Sequence, residues 1–159
     1  MSTNTSAGAE QRLKELGIDL PGAPTPLGAY VEAVQSGSLL FLSGTLPVEG
    51  GIPRFLGRIG GELSVEEGRR ATRLAGLNAL AVAREHLRSL DKVTRVVRLG
   101  ISLVTTPDFT EHPKVADAAS ELFVSVFGAD KISTRLVFGM ATLPVGVCVV
   151  LEVILEVRD

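Results

Sequence analysis

An alternating run near the C-terminus, residues 147–158, constrains the fold of this chain more than any other segment. On one side of the alternation stand Val147, Val149, Leu151, Val153, Leu155 and Val157. Because strand side chains point to opposite faces in turn, the run predicts a β-strand with one face built for a hydrophobic core. On the other side stand Cys148, Val150, Glu152, Ile154, Glu156 and Arg158. That mixture of apolar and charged residues suits contact with another subunit or a ligand.

Turn and capping signals divide the rest of the chain into short strands and two longer helices. The segment 1–26 is expected to be an N-terminal tail with a short helix near 10–16, followed by one domain over 27–159. A capping box at Ser64 and Glu67 predicts the start of one long helix, and Pro113 is tolerated in the first turn of the other. The prediction places helices at 64–90 and 113–127, and strands at 30–34, 39–43, 52–56, 96–105, 147–158 and from 133 to the break at Leu143-Pro144.

This order of elements predicts an α+β fold with one mixed six-stranded sheet. Two helices and one sheet pack most simply as two layers, with both helices on one face of the sheet. The other sheet face stays uncovered, although it carries Cys148, Val150 and Ile154. Burial of an apolar face against a second copy is expected over its exposure to water, so a homo-oligomer is predicted.

Composition excludes several classes of partner. The net charge of −2, the absence of Trp and the single Tyr argue against a nucleic-acid surface. No charge-free apolar run is long enough to span a bilayer, and residues 1–10 lack the pattern of a secretion signal, so a cytoplasmic protein without a membrane partner is expected. Cys148 is expected to be a buried packing residue. His86 and His112 lack metal-ligand spacing, so neither a metal nor a cofactor is expected.

Short motifs spread over most of the chain resemble those of one known family. They are Gly28-Ala29-Tyr30, Leu42-Ser43-Gly44-Thr45-Leu46-Pro47, Arg135, Leu143-Pro144 and Glu152. In this order they are similar to the YjgF/YER057c/UK-type family, also called the RidA or Rid family, and the segment 107–115 looks like its longer, less characterised branch. The resemblance implies a chorismate-mutase-like fold, a homotrimer, and small-molecule sites in the clefts between adjacent subunits.

The resemblance also implies a site. In the best-understood branch of the family, an Arg clamps the carboxylate of a 2-imino acid and a Glu on the last strand assists attack by water. A guanidinium fork matches a carboxylate with two charge-assisted hydrogen bonds, and a carboxyl group can move the proton that imine hydrolysis requires. Arg135 corresponds to the family's Arg. The other candidate substrate-binding residues are Tyr30, Ser43, Gly44 and Asp117.

The catalytic Glu of the family has no counterpart. Its position is Val150 here, and Glu152 corresponds to a second acidic residue two places further on. Two strand residues span roughly 6 to 7 Å, so Glu152 is a catalytic candidate only for a ligand that sits differently. The family's cleft cysteine is replaced by Val137. The site implied by the resemblance therefore keeps its anion-binding Arg and lacks the usual proton shuttle.

Two functions stay open. The first is a metal-free hydrolase of reactive imines or enamines, with Arg135 orienting the substrate carboxylate. The second is a non-catalytic homotrimer that binds a small carboxylate. Endoribonuclease activity, a name carried by some relatives, has little support, because paired histidines and a basic stripe are absent from the sequence. An ion pair of Arg135 with Glu152 or Glu156 is the structural alternative to ligand contact.

Overall fold

The computed structural model describes residues 7–159. Its helices are α1 (Ala9–Glu15), α2 (Val65–Leu87) and α3 (His112–Phe127). Its strands are β1 (Ala33–Ser36), β2 (Leu39–Leu42), β3 (Val48–Glu49), β4 (Ile52–Pro53), β5 (Val93–Val104), β6 (Thr134–Met140) and β7 (Val149–Val157). None of the helices in this part of the chain combines the length and apolar character needed to cross a membrane.

The strands form a five-stranded sheet in the order β1-β2-β7-β5-β6, and β3 and β4 pair separately as a small ribbon. Pairing in the main sheet is antiparallel except between β5 and β6, which are parallel. The predicted strand 52–56 is thus reduced to β4 and stays outside the main sheet. Phe55 explains the early end of this strand, since its φ of 57° lies in the left-handed region.

The helix boundaries follow the capping signals. The amide of Glu67 donates to Oγ of Ser64 at 3.1 Å, and the amide of Ser64 donates to Oε2 of Glu67 at 2.7 Å. This is the predicted capping box, and it fixes the first turn of α2. Helices α2 and α3 approach closely at Gly76, where a Cβ atom would lie 2.9 Å from Cδ2 of Leu122.

The core lies between the sheet and these two helices, so the α+β two-layer architecture is confirmed. The β7 side chains predicted to face the core are all buried, as is Cys148. Helix α1 also contributes, because Leu13 is buried in the same core and Glu10 pairs with Arg84 of α2 at 3.1 Å. The start of the domain at residue 27 stays a prediction.

The sheet face opposite the helices is open in the single chain. Its strands expose large apolar side chains to solvent, namely those of Val34, Phe41, Leu136, Phe138 and Met140. Exposed apolar side chains in such number typically mark a site of protein contact.

Candidate functional site

Arg135 lies on β6, the strand at one edge of the sheet, and its side chain reaches α3. Its Nη1 donates to Oδ1 of Asp117 at 2.7 Å and to Oγ of Ser120 at 3.1 Å. Neither Glu152 nor Glu156 is its partner in the described chain. The Arg135 side chain is 25% exposed and that of Asp117 is 49% exposed, so this ion pair is not buried.

The contacts with Asp117 and Ser120 use only the Nη1 atom of the guanidinium group. Within residues 7–159, Nη2 and Nε of Arg135 make no hydrogen bond. These two nitrogens form the side of the fork that can hold a carboxylate through two parallel hydrogen bonds. Asp117 and Ser120 therefore orient Arg135 and leave it able to bind an anion.

Tyr30 and Ser43 lie near the other edge of the sheet, beside the start of β1. The Ser43 hydroxyl donates to the carbonyl oxygen of Val31 at 2.6 Å, and its amide donates to that of Glu32 at 2.9 Å. The Tyr30 hydroxyl accepts a hydrogen bond from the amide of Leu27 at 3.1 Å. Both hydroxyl groups thus hold the segment that leads into β1.

Gly44 brings the loop after β2 against β7. The neighbouring residue Thr45 exchanges two backbone hydrogen bonds with Leu151, of 2.7 and 2.9 Å. A Cβ atom at Gly44 would lie only 2.9 Å from Cγ1 of Val150. The loop and the Val150 position are consequently in direct contact.

A cavity of about 480 Å³ lies beside this loop. Tyr30 and Gly44 both line it, together with the segment 21–25 and the β3–β4 ribbon. Two polar residues that the sequence analysis did not identify as site residues, Glu32 and Asn78, also line it. Asn78 is a buried polar residue within the apolar stripe of α2, and that position in the pattern could have identified it.

Asn78 and Glu32 differ in how they are held. The Asn78 side chain donates to the carbonyl oxygens of Leu46 and Val48, both at 2.9 Å, and so fixes the cavity wall. Glu32 is half-buried, and this burial raises the pKa of its carboxyl group. The sequence signal for Glu32 was its place two residues after Tyr30.

The structure does not bring all the predicted site residues together in one chain. Arg135 and Asp117 lie at the β6 edge, whereas Tyr30, Ser43 and Gly44 lie beyond β7. The strand order β2-β7-β5-β6 puts three strand spacings between the two groups, or roughly 14 Å. A small ligand cannot contact both groups of the same chain.

Glu152 follows Leu151, the backbone partner of Thr45, so its backbone lies beside Gly44, and it is remote only from Arg135 and Asp117. It is opposite Gly100 of β5, where a Cβ atom would lie 3.6 Å from its Oε2 atom. Cys148 is not suited to act as a nucleophile, because burial raises the pKa of its thiol to about 11 and keeps it protonated. Among the side chains described, no group of three His, Cys, Asp or Glu residues could hold a metal ion.

Comparison with known proteins gives one consistent result. Residues 10–157 match the model of the family described as "YjgF/chorismate_mutase-like, putative endoribonuclease". Protein TCP17 of Trypanosoma cruzi is 37% identical over 160 residues, covering the full length of both chains. A Shewanella oneidensis protein of known structure, which carries the same endoribonuclease description, is 30% identical, with a TM-score of 0.91 over 95% of this chain and 100% of its own.

A more distant structure was solved with a small molecule. It is Escherichia coli TdcF with bound serine, 25% identical, with a TM-score of 0.62 over 86% of this chain and 92% of that protein. The fold and the family match agree. This chain belongs to the YjgF/chorismate-mutase-like family, to which the RidA proteins also belong.

Proposed function

We propose that this protein is a homotrimer whose intersubunit clefts bind a small carboxylate, of the 2-imino or 2-oxo acid class. Each cleft takes Arg135 and Asp117 from one subunit and the cavity lined by Tyr30 and Gly44, next to Ser43, from its neighbour. The observation that carries the proposal is the unpaired side of the Arg135 guanidinium, at the sheet edge remote from the cavity. Two chains are needed to bring the two halves together.

The open sheet face supports a trimer. Its exposed side chains, among them Phe41 and Phe138, form an apolar surface that association would bury. The family resemblance implies a trimer. In a closed cyclic trimer, the β6 edge of each chain contacts the same surface of the next chain.

The ligand class follows from the donors. A bidentate guanidinium prefers a planar carboxylate, and a cavity of about 480 Å³ accepts a small metabolite. The serine bound to TdcF is itself a small molecule with a carboxylate. We therefore extend a carboxylate-binding role to this chain.

Hydrolysis of the bound imine is the second candidate, and its chemistry depends on a carboxyl group. Val150 cannot exchange a proton, and Glu152 lies on the open sheet face opposite Gly100. Glu32, however, is among the residues that line the cavity assigned to the proposed cleft. This observation keeps the enzymatic alternative open beside simple binding.

Calorimetric titration with 2-oxobutyrate, the stable product analogue of 2-iminobutyrate, tests the binding proposal. We expect Arg135→Ala to weaken affinity at least tenfold, because a charge-assisted bidentate contact contributes on the order of 1.5 to 3 kcal/mol. Arg73→Ala, which removes an exposed arginine of α2, is the matched control and should bind like the wild type. Equal affinity in wild type and Arg135→Ala would refute the proposed role of Arg135.

A further inference from the structure

Glu32 occupies a distinctive position in the cavity beside Tyr30 and Gly44. Among the described residues that line this cavity, Glu32 carries the only carboxyl group, and Tyr30 is the only other ionisable side chain. The rest of the lining consists of glycine, proline, aliphatic and neutral polar residues. The proposed cleft also takes Asp117 from the neighbouring subunit, but that carboxylate is paired with Arg135. Glu32 is therefore the unpaired carboxylate that can accept a proton in this cavity.

The backbone of Glu32 is held firmly. Its carbonyl oxygen accepts the Ser43 amide at 2.9 Å, and the next residue, Ala33, begins β1 opposite Leu42. The position is therefore fixed at the end of a strand pair, beside the loop that carries Gly44. Rigid placement of this kind is what a proton-transferring group requires.

The Glu32 carboxylate is not committed to a structural partner. It makes no ion pair or side-chain hydrogen bond within residues 7–159, and burial alone accounts for its raised pKa. On its other side Glu32 borders a second cavity, where the charged or titratable groups of α2 and its C-cap are Glu85, His86 and Arg88. His86 contacts Oε1 of Gln35 at 3.2 Å. A half-buried, unpaired carboxylate with a raised pKa is a stronger base than a solvated one.

We propose that Glu32 is the general base of the cleft when it hydrolyses the iminium form of a small 2-imino acid, the second candidate function above. This inference rests on the proposed function and adds to it the residue that accepts the proton. It gives the proton-transfer role to a residue on the opposite side of Gly44 from Val150. Although Val150 replaces the family's catalytic Glu, the carboxyl group of Glu32 can then accept the proton in its place.

Glu32 accepts and returns every proton that the reaction moves. Its carboxylate takes a proton from water as the oxygen attacks the C=NH₂⁺ carbon, which gives a neutral carbinolamine and a protonated Glu32. That proton passes to the amine nitrogen, and the C–N bond breaks while the hydroxyl proton returns to the Glu32 carboxylate. Ammonia leaves with this last proton as ammonium. The products are the 2-oxo acid and ammonium, and Glu32 is again a carboxylate.

Hydrolysis of 2-iminobutyrate, produced in place by excess threonine dehydratase, tests the role of Glu32. After subtraction of the protein-free rate, we expect Glu32→Gln to lower the rate about 10²-fold or more, the usual scale of general base catalysis. Its affinity for 2-oxobutyrate should stay within about threefold of the wild type, since amide and carboxyl have the same shape. Glu85→Gln removes an exposed carboxylate that lines only the neighbouring cavity, and should hydrolyse at the wild-type rate.

The pH profile separates a base from a structural residue. The wild-type rate should fall as the pH drops through the Glu32 pKa, because the protonated carboxyl group cannot accept a proton from water, and this limb should be missing from Glu32→Gln.

The outcomes distinguish the proposed role of Glu32 from the proposed carboxylate binding. Wild-type hydrolysis unchanged in Glu32→Gln would overturn the inference and leave carboxylate binding standing. Binding of 2-oxobutyrate without any wild-type hydrolysis would do the same. A wild type that does not bind 2-oxobutyrate would overturn both.

Discussion

At the scale of single residues, the contact between Gly44 and Val150 shows how tightly the cleft loop is set against β7. Val150 is β-branched and stiff, so it cannot swing aside freely when a methyl group is added 2.9 Å away. The absence of a side chain at Gly44 is therefore a steric requirement of this loop.

Gly44→Ala should lower the free energy of unfolding by about 1 to 3 kcal/mol, the usual cost of overpacking. Chemical denaturation at a fixed chain concentration measures this change. Adding Val150→Ala to Gly44→Ala should recover part of the loss, because the clashing methyl group is gone. Gly22→Ala is the control, since its added Cβ meets nothing within 4 Å. Strictly additive effects at positions 44 and 150 would contradict the contact.

The contacts of the candidate residues were predictable only in part. Motif order suggested Arg135 and Asp117 as separate candidates, but Asp117 lies 18 residues away on α3, and only the packing of α3 against β6 brings the two together. Glu32 escaped notice because the strand was predicted to begin at residue 30, which made it an ordinary strand residue. The chain bends there instead and joins β1 at Ala33.

At the scale of elements, alternation and capping were sufficient for most of the fold. The core face of β7 and the capping box of α2 are confirmed, because each depends on a local pattern of a few residues. The third predicted strand was too long because the left-handed backbone of Phe55 has no clear sequence signal. Local patterns also could not show that β3 and β4 leave the main sheet.

The loop between β4 and α2 contains a pH-sensitive pair. Arg58 donates to the Glu62 carboxylate from its amide at 2.9 Å and from its guanidinium at 3.1 and 3.2 Å. The side-chain hydrogen bond from Arg58 is the largest cause that lowers the pKa of Glu62 to about 2. The lowered pKa means that this pair stabilises the fold fully above pH 4.5, and that the contribution is lost as the pH falls through about 2.

A carboxyl-detected NMR titration tests this pair. The Glu62 midpoint should be near pH 2 in the wild type and should move toward the ordinary value of 4.5 in Arg58→Gln. A wild-type midpoint already at the ordinary value would show that the hydrogen bonds from Arg58 do not persist in solution.

At the scale of the whole molecule, the single chain leaves two features incomplete: the exposed apolar sheet face and the two separated halves of the candidate cleft. The proposed trimer would cover the face and join the halves. The sequence predicted an oligomer from the mixed face of β7, but the separation of Arg135 from Tyr30 across the sheet depends on strand order, which no local pattern contains.

Phe138→Glu should dissociate the assembly, because it places a charge in the apolar face, where Phe138 is 53% exposed in the single chain. Light scattering after gel filtration should give about three times the 16.8 kDa chain mass for the wild type and the chain mass for the variant. Leu16→Glu changes an equally exposed apolar residue outside the sheet and should remain trimeric. A wild type with the mass of one chain would rule out the proposed trimer.

The central claim is that one chain supplies Arg135 and its neighbour supplies the cavity beside Tyr30, and subunit mixing tests it most directly. Arg135→Ala removes the anion contact, and Tyr30→Asp places a repelling charge in the cavity, so each variant alone should bind 2-oxobutyrate at least tenfold more weakly than the wild type. After joint unfolding and refolding, each mixed trimer contains one cleft built from the intact side of both variants. We predict that the mixture regains binding, measured by calorimetry, at up to one site per mixed trimer. A mixture that binds no more than the two variants measured separately would contradict the intersubunit cleft.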